Sequence, residues 1–356
     1  MPLSAGVTDH DEAVRRHGYH TVPVKRIVQE TADTRSLVLD IPDDLRGEFG
    51  YVPGQFCTFR VHIGGDEHAR CYSMSSAPDV DDDLTVTVKR VEGGLVSNWL
   101  NDHLAEGDLV EVTRPSGSFC VRSGPRPIIA FCGGSGITPV LSIAKSVLVT
   151  SDRSMRLLYA NRDPDSVIFS GPLEALQRAY PERFAVTHHL DAERGPPDAA
   201  SIVTFVGCQP DADFYICGPG PFMDLVEGTL LDSGVRAGDI FIERFTTPPE
   251  PQPDPLLVLD GTQIPEAIVL VLRGKRSEIP YRGGDTVLET ARRAGLSAPF
   301  SCEAGNCATC MAFVQEGAVT MRANNALTAD EVEEGWVLTC QALPTSRSLT
   351  IEYEPL

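Results

Sequence analysis

Between residue 22 and about residue 122, short apolar and β-branched runs alternate with turn residues: SLVL at 36–39, QFCTF at 55–59, LTVTV at 84–88 and LVEVT at 109–113. Their spacing, with Gly and Pro between them, predicts an antiparallel β-barrel or sandwich. At Pro127 the rhythm changes. IIAF at 128–131 leads through a glycine loop into VLSIA at 140–144, followed by strand-like MRLLY at 155–159, a helical stretch at 173–180, FAVT at 184–187 and FYIC at 214–217. This strand–helix alternation predicts an α/β domain with a parallel sheet. The run TPPEPQPDP at 247–255 has too many prolines for a helix or a central strand and reads as a semi-rigid tether. Beyond it a hairpin is expected at 267–272 and 277–281, then a helix at 286–294, then a cysteine-rich loop. The expected order is a flexible tail (1–20), a barrel (21–125), an α/β domain (126–246), a linker (247–266) and a C-terminal α+β domain (267–356).

Composition narrows the class. A chain of 356 residues, 42% hydrophobic and 22% charged, is long enough for two or three cores and ordinary for a globular protein. A net charge of -20 argues against nucleic acid and anionic membrane surfaces, both of which attract basic patches. It suits a protein partner with a basic docking face. The run Asp330, Glu331, Glu333 and Glu334 is either a solvated helix face or such a docking patch. The N-terminus has no apolar signal-peptide core. The most apolar stretch, 127–150, is interrupted by Gly133, Gly134, Gly136 and Pro139, as suits a buried strand, loop and helix rather than a membrane span.

Of ten cysteines, Cys57, Cys71, Cys120, Cys132, Cys208 and Cys217 are scattered without pairing rhythm, which fits a reducing cytoplasm. The other four are Cys302, Cys307, Cys310 and a distant Cys340. The C-x4-C-x2-C spacing with a remote fourth thiol is the plant-type [2Fe–2S] ligand pattern, and Gly305 is available where the backbone must curl around a cluster. Structural zinc more often uses two short C-x2-C knuckles, and disulfides need an oxidising compartment. A zinc-stabilised binding module is the non-enzyme alternative.

Other motifs point to a bound flavin and nucleotide. Arg70-Cys71-Tyr72-Ser73, followed by MSSAP, offers a guanidinium for a phosphate and an aromatic wall for a flat ring. By itself this could be a barrel strand that contains an Arg and a Tyr. Residues 89–100, with Lys89, Gly93, Gly94, Val96 and Ser97, resemble a flavoprotein segment whose glycines let backbone amides approach a pyrophosphate and whose serine opens a helix. CGGSGITP at 132–139 follows a strand and opens a helix, as a dinucleotide loop requires; Pro139 is tolerated in a first helical turn. ANRDPDS at 160–166 offers Arg162 to a 2′-phosphate and Asp163 or Asp165 to a ribose hydroxyl.

In R-x-Y-S, the GGSGITP loop, PSGSF at 115–119, CGPGPFM at 217–223 and Glu243-Arg244-Phe245, the chain resembles the ferredoxin–NADP reductase superfamily. With its C-terminal cysteine loop it is similar to the reductase components of bacterial multicomponent oxygenases. The resemblance runs from about residue 22 to residue 353 and implies an antiparallel flavin barrel, a parallel-sheet nucleotide domain and a β-grasp [2Fe–2S] ferredoxin domain. It implies FAD held by Arg70, Tyr72, Ser73, Val88, Lys89, Gly93, Gly94, Val96, Ser97 and Phe245. It implies nicotinamide nucleotide on Gly134, Gly136, Thr138, Pro139, Asn161, Arg162, Cys217, Gly218 and Pro219, and the cluster on Cys302, Cys307, Cys310 and Cys340. Ser73, Cys217 and Glu243 would be catalytic, lying near the reacting rings. Two loop positions depart from the family: Glu303 stands where Arg is frequent, and Ala308 where Gly is common.

The implied function is a cytoplasmic oxidoreductase, a monomer, passing electrons from NADH, preferred to NADPH, through FAD and [2Fe–2S] to a separate Rieske-type oxygenase in steroid or aromatic hydroxylation. A phenylacetyl-CoA epoxidase-type reductase or another NAD(P)H-dependent ferredoxin-type reductase is the alternative.

Overall fold

The computed structural model describes residues 19–207, 211–245, 264–296, 298–300, 302, 303, 305, 308–324, 326, 327 and 329–353. The fold divides into two compact units, Thr21–Phe245 and another within Thr246–Leu356. The proline-rich linker, apart from residues 264–266, and the N-terminal tail up to residue 18 lie outside the described residues.

The first unit begins with six strands: β1 (Tyr19–Thr31), β2 (Thr34–Leu39), β3 (Phe56–Ile63), β4 (Asp66–Ser73), β5 (Leu84–Lys89) and β6 (Leu109–Thr113), ordered β4-β3-β6-β1-β2-β5. The β1–β2, β2–β5, β3–β4 and β3–β6 pairs are antiparallel. A bridge between Met74 and Val86 joins the two outer strands, so the sheet closes into the expected barrel. Period-two alternation drives this closure: Leu84, Val86 and Val88 all face the barrel core. The helix α1 (Leu95–His103) adds Val96 and Leu100 to the same core.

A parallel sheet follows, made of β7 (Ile128–Gly133), β8 (Met155–Asn161), β9 (Phe184–Leu190), β10 (Asp213–Cys217) and β11 (Ile240–Glu243), ordered β11-β10-β7-β8-β9. Alternate residues of β7 enter different cores, Ile128, Ala130 and Cys132 on one face and Ile129 and Phe131 on the other. A central parallel strand is covered on both faces, which is why IIAFC reads as a continuous apolar run. The covering helices are α2 (Ile137–Thr150), α3 (Ser170–Ala179), α4 (Asp191–Arg194), α5 (Ala199–Val206) and α6 (Gly220–Asp232). Helix α2 is fastened to the barrel: Lys145 Nζ meets Asp81 Oδ2 at 2.9 Å, Ser142 Oγ donates to Ser76 O at 2.5 Å, and Ser146 Oγ donates to Asp79. These contacts hold the glycine loop at the start of α2 against the barrel.

The second unit has a five-stranded mixed sheet of β12 (Ala267–Leu272), β13 (Lys275–Pro280), β14 (Met311–Glu316), β16 (Trp336–Leu338) and β18 (Thr350–Glu352), ordered β13-β12-β18-β14-β16. A separate pair joins β15 (Val319–Met321) to β17 (Ala342–Pro344). Helix α7 (Val287–Arg293) starts at a reciprocal cap, Thr286 Oγ1 accepting from Glu289 N at 3.2 Å while Glu289 Oε2 accepts from Thr286 N at 2.6 Å. It buries Val287, Leu288 and Ala291. The acidic run forms the short helix α8 (Ala329–Glu334). Among the described residues no helix is long and apolar enough to cross a membrane.

Candidate functional site

The flavin motif occupies the end of β4 and the turn before α1. Arg70 is half-buried, donates to Ala69 O at 2.8 Å, and among the described residues is not paired with a carboxylate. Tyr72 packs edge-on against Phe59 with ring centroids 5.5 Å apart. Ser73 Oγ is buried without a hydrogen-bond partner, a cost that a bound polar group would remove. At the turn, Gly93 has φ of +68°, and a Cβ on Gly94 would stand 2.8 Å from Ser97 Oγ. Ser97 Oγ accepts from Val91 N at 3.1 Å, and among the described residues no side chain caps the start of α1. An unmatched guanidinium, an orphaned hydroxyl and an uncapped helix start fit a phosphate-bearing flavin. Val88 and Val96 place their side chains in the barrel core instead, and the Val88 carbonyl accepts from Asn101 Nδ2 at 3.3 Å.

The dinucleotide loop lies at the carboxyl ends of the parallel strands, where open α/β sheets bind ligands. Gly134 has φ of +51°, and a Cβ on Gly136 would stand 2.0 Å from Cys217 O. Thr138 Oγ1 donates to Ser135 O at 2.8 Å, and Pro139 is buried in the first turn of α2, which again has no side-chain cap. Beside this loop is a cavity of about 510 Å³, lined among others by Lys89, Gly134, Asn161, Arg162, Asp191 and Pro219. Asn161 is 5% exposed, and its amide, though turned toward the Tyr159 hydroxyl, makes no hydrogen bond of acceptable geometry with either polar atom. Gly136, Thr138, Pro139, Cys217 and Gly218 do not line the cavity; Gly136 packs against the Cys217 carbonyl and Gly218 against Gly133, so the two loops meet beside it.

Strand register brings Cys217 directly beside Glu243 on one neighbour and Cys132 on the other. Burial, with Glu243 and Cys132 adding to it, pushes the Cys217 thiol well above its ordinary pKa, so it stays protonated at neutral pH. Cys120 is likewise pushed up to about 11 by burial, with Glu243 contributing. Phe245 closes the unit and is 43% exposed.

In the second unit, Met311 pairs with Leu338 across β14 and β16, which sets Cys310 and Cys340 at the same sheet end. Thr339 fixes the approach, its N–H and Oγ1 both donating to Cys310 O at 3.1 and 2.9 Å. Cys302, Cys310 and Cys340 are all buried. The Cys340 thiol is raised by its hydrogen bond with Cys310, by burial and by nearby Cys302, so the three sulfurs sense one another. Cys307 lies outside the described residues, and among those described no group of three His, Cys, Asp or Glu side chains is arranged to hold a metal ion. The donor set, three buried soft sulfurs with a fourth cysteine between Cys302 and Cys310 in the sequence, fits iron–sulfur chemistry.

The loop is built for a tight curl. Gly305 has φ of +76°, and a Cβ there would stand 2.8 Å from Ala323 O. Glu303 and Ala308 are left-handed too, at φ of +53° and +54°. At Ala308 this explains why glycine is common in the family. Glu303 is clamped by Arg292 through two bonds of 2.7 Å, and Arg292 lies 3.9 Å over the Phe300 ring. Gln341 donates to Glu303 O at 2.8 Å and approaches Cys340 Sγ at 3.6 Å.

Two residues near the nucleotide cavity escape a reading of the sequence. Asp191, following β9, lines the cavity, and its position at a parallel strand's carboxyl end is the signal that could have found it. Asp33, in the β1–β2 turn, reaches Arg162 and Lys89. Asp163 has another duty: its carboxylate accepts from Ser166 N at 2.9 Å as a helix cap.

Comparison with known proteins agrees with this architecture. Residues 21–120 match the model for the oxidoreductase FAD-binding domain, 131–228 that for the oxidoreductase NAD-binding domain and 270–345 that for the 2Fe-2S iron-sulfur cluster binding domain. The ferredoxin reductase component of 3-ketosteroid-9-alpha-monooxygenase from Rhodococcus rhodochrous is 39% identical over 344 residues, covering 95% of this chain and 98% of that protein. One component of the 1,2-phenylacetyl-CoA epoxidase of Escherichia coli (strain K12) is 30% identical over 366 residues, covering 94% of this chain and 98% of its own. The solved structure of phthalate dioxygenase reductase, described as a modular structure for electron transfer from pyridine nucleotides to [2Fe-2S], superposes with a TM-score of 0.60 at 25% identity, covering 97% of this chain and all of the other. By its three domains in this order and relatives spanning nearly its whole length, the chain belongs to the family of NAD(P)H-dependent reductase components of oxygenase systems, which carry FAD and a [2Fe–2S] cluster.

Proposed function

We propose that the chain is a cytoplasmic, monomeric reductase that takes electrons from NADH and delivers them to a separate Rieske-type oxygenase acting on a steroid or aromatic compound. The observation that carries this reading is the 39% identity, over almost the full length of both chains, to the reductase component of a 3-ketosteroid-9-alpha-monooxygenase. Cys57, Cys120, Cys132 and Cys217, outside the cluster motif, form no disulfide among the described residues, which supports a reducing compartment. When bound, FAD supplies the exchange of a two-electron hydride for the single electrons that a [2Fe–2S] cluster carries.

The residues divide the work. Arg70 would neutralise a flavin phosphate, Gly93 and Gly94 would let the α1 amides reach the pyrophosphate, and Tyr72 and Phe245 would offer aromatic surfaces to the flavin. Lys89 serves the same anionic region from the cavity side. Ser73 Oγ, buried and without a partner, would offer a hydrogen bond to the flavin, and Glu243, paired in register with Cys217, would serve as a proton store. Gly134, Gly136 and Pro139 shape the loop that holds the nucleotide diphosphate. Asn161 and Arg162 meet the adenosine ribose, and Cys217, Gly218 and Pro219 pass close to the nicotinamide. Cys217 acts as a neutral thiol, since burial keeps its proton on.

Reconstitution tests the partner. Purified chain, NADH and candidate oxygenases encoded beside its gene should give hydroxylation of a steroid or aromatic substrate. A second reading, service to an epoxidase, is favoured by the Escherichia coli relative. Coupling only to a partner without a Rieske centre would replace the first reading with the second.

A further inference from the structure

The turn between β1 and β2 carries a carboxylate to the mouth of the nucleotide cavity. Asp33 Oδ2 stands 3.4 Å from Arg162 Nη2 and 3.8 Å from Lys89 Nζ, and both cations line that cavity. The carboxylate is fixed from behind: Thr31 and Thr34 hydroxyls donate to its Oδ1 at 2.8 and 3.0 Å, and the Asp33 carbonyl accepts from Arg90 N at 2.8 Å. One oxygen therefore belongs to the barrel while the other faces the cations. Burial disfavours its charge, but the Thr31, Lys89, Thr34 and Arg162 contacts outweigh burial and hold its pKa below the ordinary carboxylate value.

Arg162 is the group in this cavity suited to a 2′-phosphate, by charge and by its planar donor fork. Its surroundings work against that use. Asp191 lines the same cavity, and the Arg162 carbonyl accepts from Ala192 N at 2.9 Å, which ties the start of α4 to the arginine's backbone. A 2′-phosphate at Arg162 would bring close to two negative charges into a cavity lined by Asp191 and up to a guanidinium that Asp33 already engages.

We propose that Asp33 is a specificity-determining residue of the nucleotide site: by engaging Arg162 and Lys89 and adding a like charge, it disfavours a 2′-phosphorylated nucleotide relative to NADH. The inference deepens the NADH reading above and rests on the placement of the adenosine ribose at Arg162. It assigns the choice of nucleotide in part to the flavin barrel, not to the nucleotide domain alone.

The test is Asp33→Asn in the full FAD-loaded chain, which keeps an acceptor for Thr31 and Thr34 and removes the charge. The contact is partly exposed, so the expected effect is that of a surface pair. The ratio of kcat/KM for NADPH over NADH should rise about threefold to fivefold, and calorimetry should show tighter NADP+ binding by a similar factor with NAD+ unchanged. Asp33→Glu, which keeps the charge, should keep the wild-type ratio, and adding Arg162→Gln to Asp33→Asn should cancel the gain. An unmoved ratio, or equal gains for NAD+ and NADP+, overturns the proposal. A wild type that prefers NADPH would sink the NADH reading, yet Asp33→Asn would still move the ratio in the stated direction. A wild type that prefers NADH with an unmoved ratio sinks the Asp33 assignment alone.

Discussion

At Gly136 an added Cβ would stand 2.0 Å from the carbonyl oxygen of Cys217, and at Gly133 it would stand 2.6 Å from Pro219 Cδ. The two loops that shape the nucleotide site therefore touch backbone to backbone, and no side chain fits between them. Gly136→Ala should destabilise the chain by about 3 kcal/mol, the scale of overpacking a filled core, and should raise KM for NADH. Urea unfolding checks this, and an unchanged midpoint would show that the loops can part. The loop at 132–139 carries its own dinucleotide pattern, whereas CGPGPFM at 217–223 was read only through the family resemblance. Their contact was not legible, because a sequence does not display the packing of one strand end on another. Asp33 was illegible for a similar reason, since a charged turn reads as solvated surface until the fold brings Arg162 to it. Asp163 is a different case: the D-x-x-S spacing to Ser166 is a cap signature, and the sequence reading offered it to a ribose instead.

Among the elements, the long, strongly periodic ones announced themselves. The apolar runs of β7 and β10 and the alternation in β5 state their burial directly, one-sided for the barrel and two-sided for the parallel sheet. The three-residue strands β15, β16, β17 and β18 hold too few positions to show a period, so the sheet order of the second unit was not readable. The iron–sulfur domain was legible from the cysteine spacing, while the Arg292–Glu303 clamp in that loop was not. Helix α8 was visible as an acidic run, and the structure places it one short strand before Cys340. Asp330, Glu333 and Glu334 are exposed there. Exchanging Glu331, Glu333 and Glu334 for Gln should slow reduction of a basic acceptor such as cytochrome c and flatten the dependence of its rate on ionic strength. Stopped-flow rates across a salt series measure this, and an unchanged rate and slope would make α8 a solvated face and nothing more.

Over the whole molecule, the chain reads as a sequence of stations: a barrel with an unmatched guanidinium and an orphaned serine, a nucleotide cavity beside it, and buried thiols in a separate unit. Their order was legible because each station has its own motif and the motifs follow one another along the chain. The central claim is that the nucleotide and flavin machinery works without the cluster thiols, whereas electrons leave for one-electron acceptors only through them. The measurement that addresses it most directly is a pair of assays on Cys340→Ser. The account predicts that bound flavin and NADH-dependent reduction of ferricyanide at the flavin are retained while cytochrome c reduction is abolished. Equal loss of both activities with the flavin still bound would contradict it.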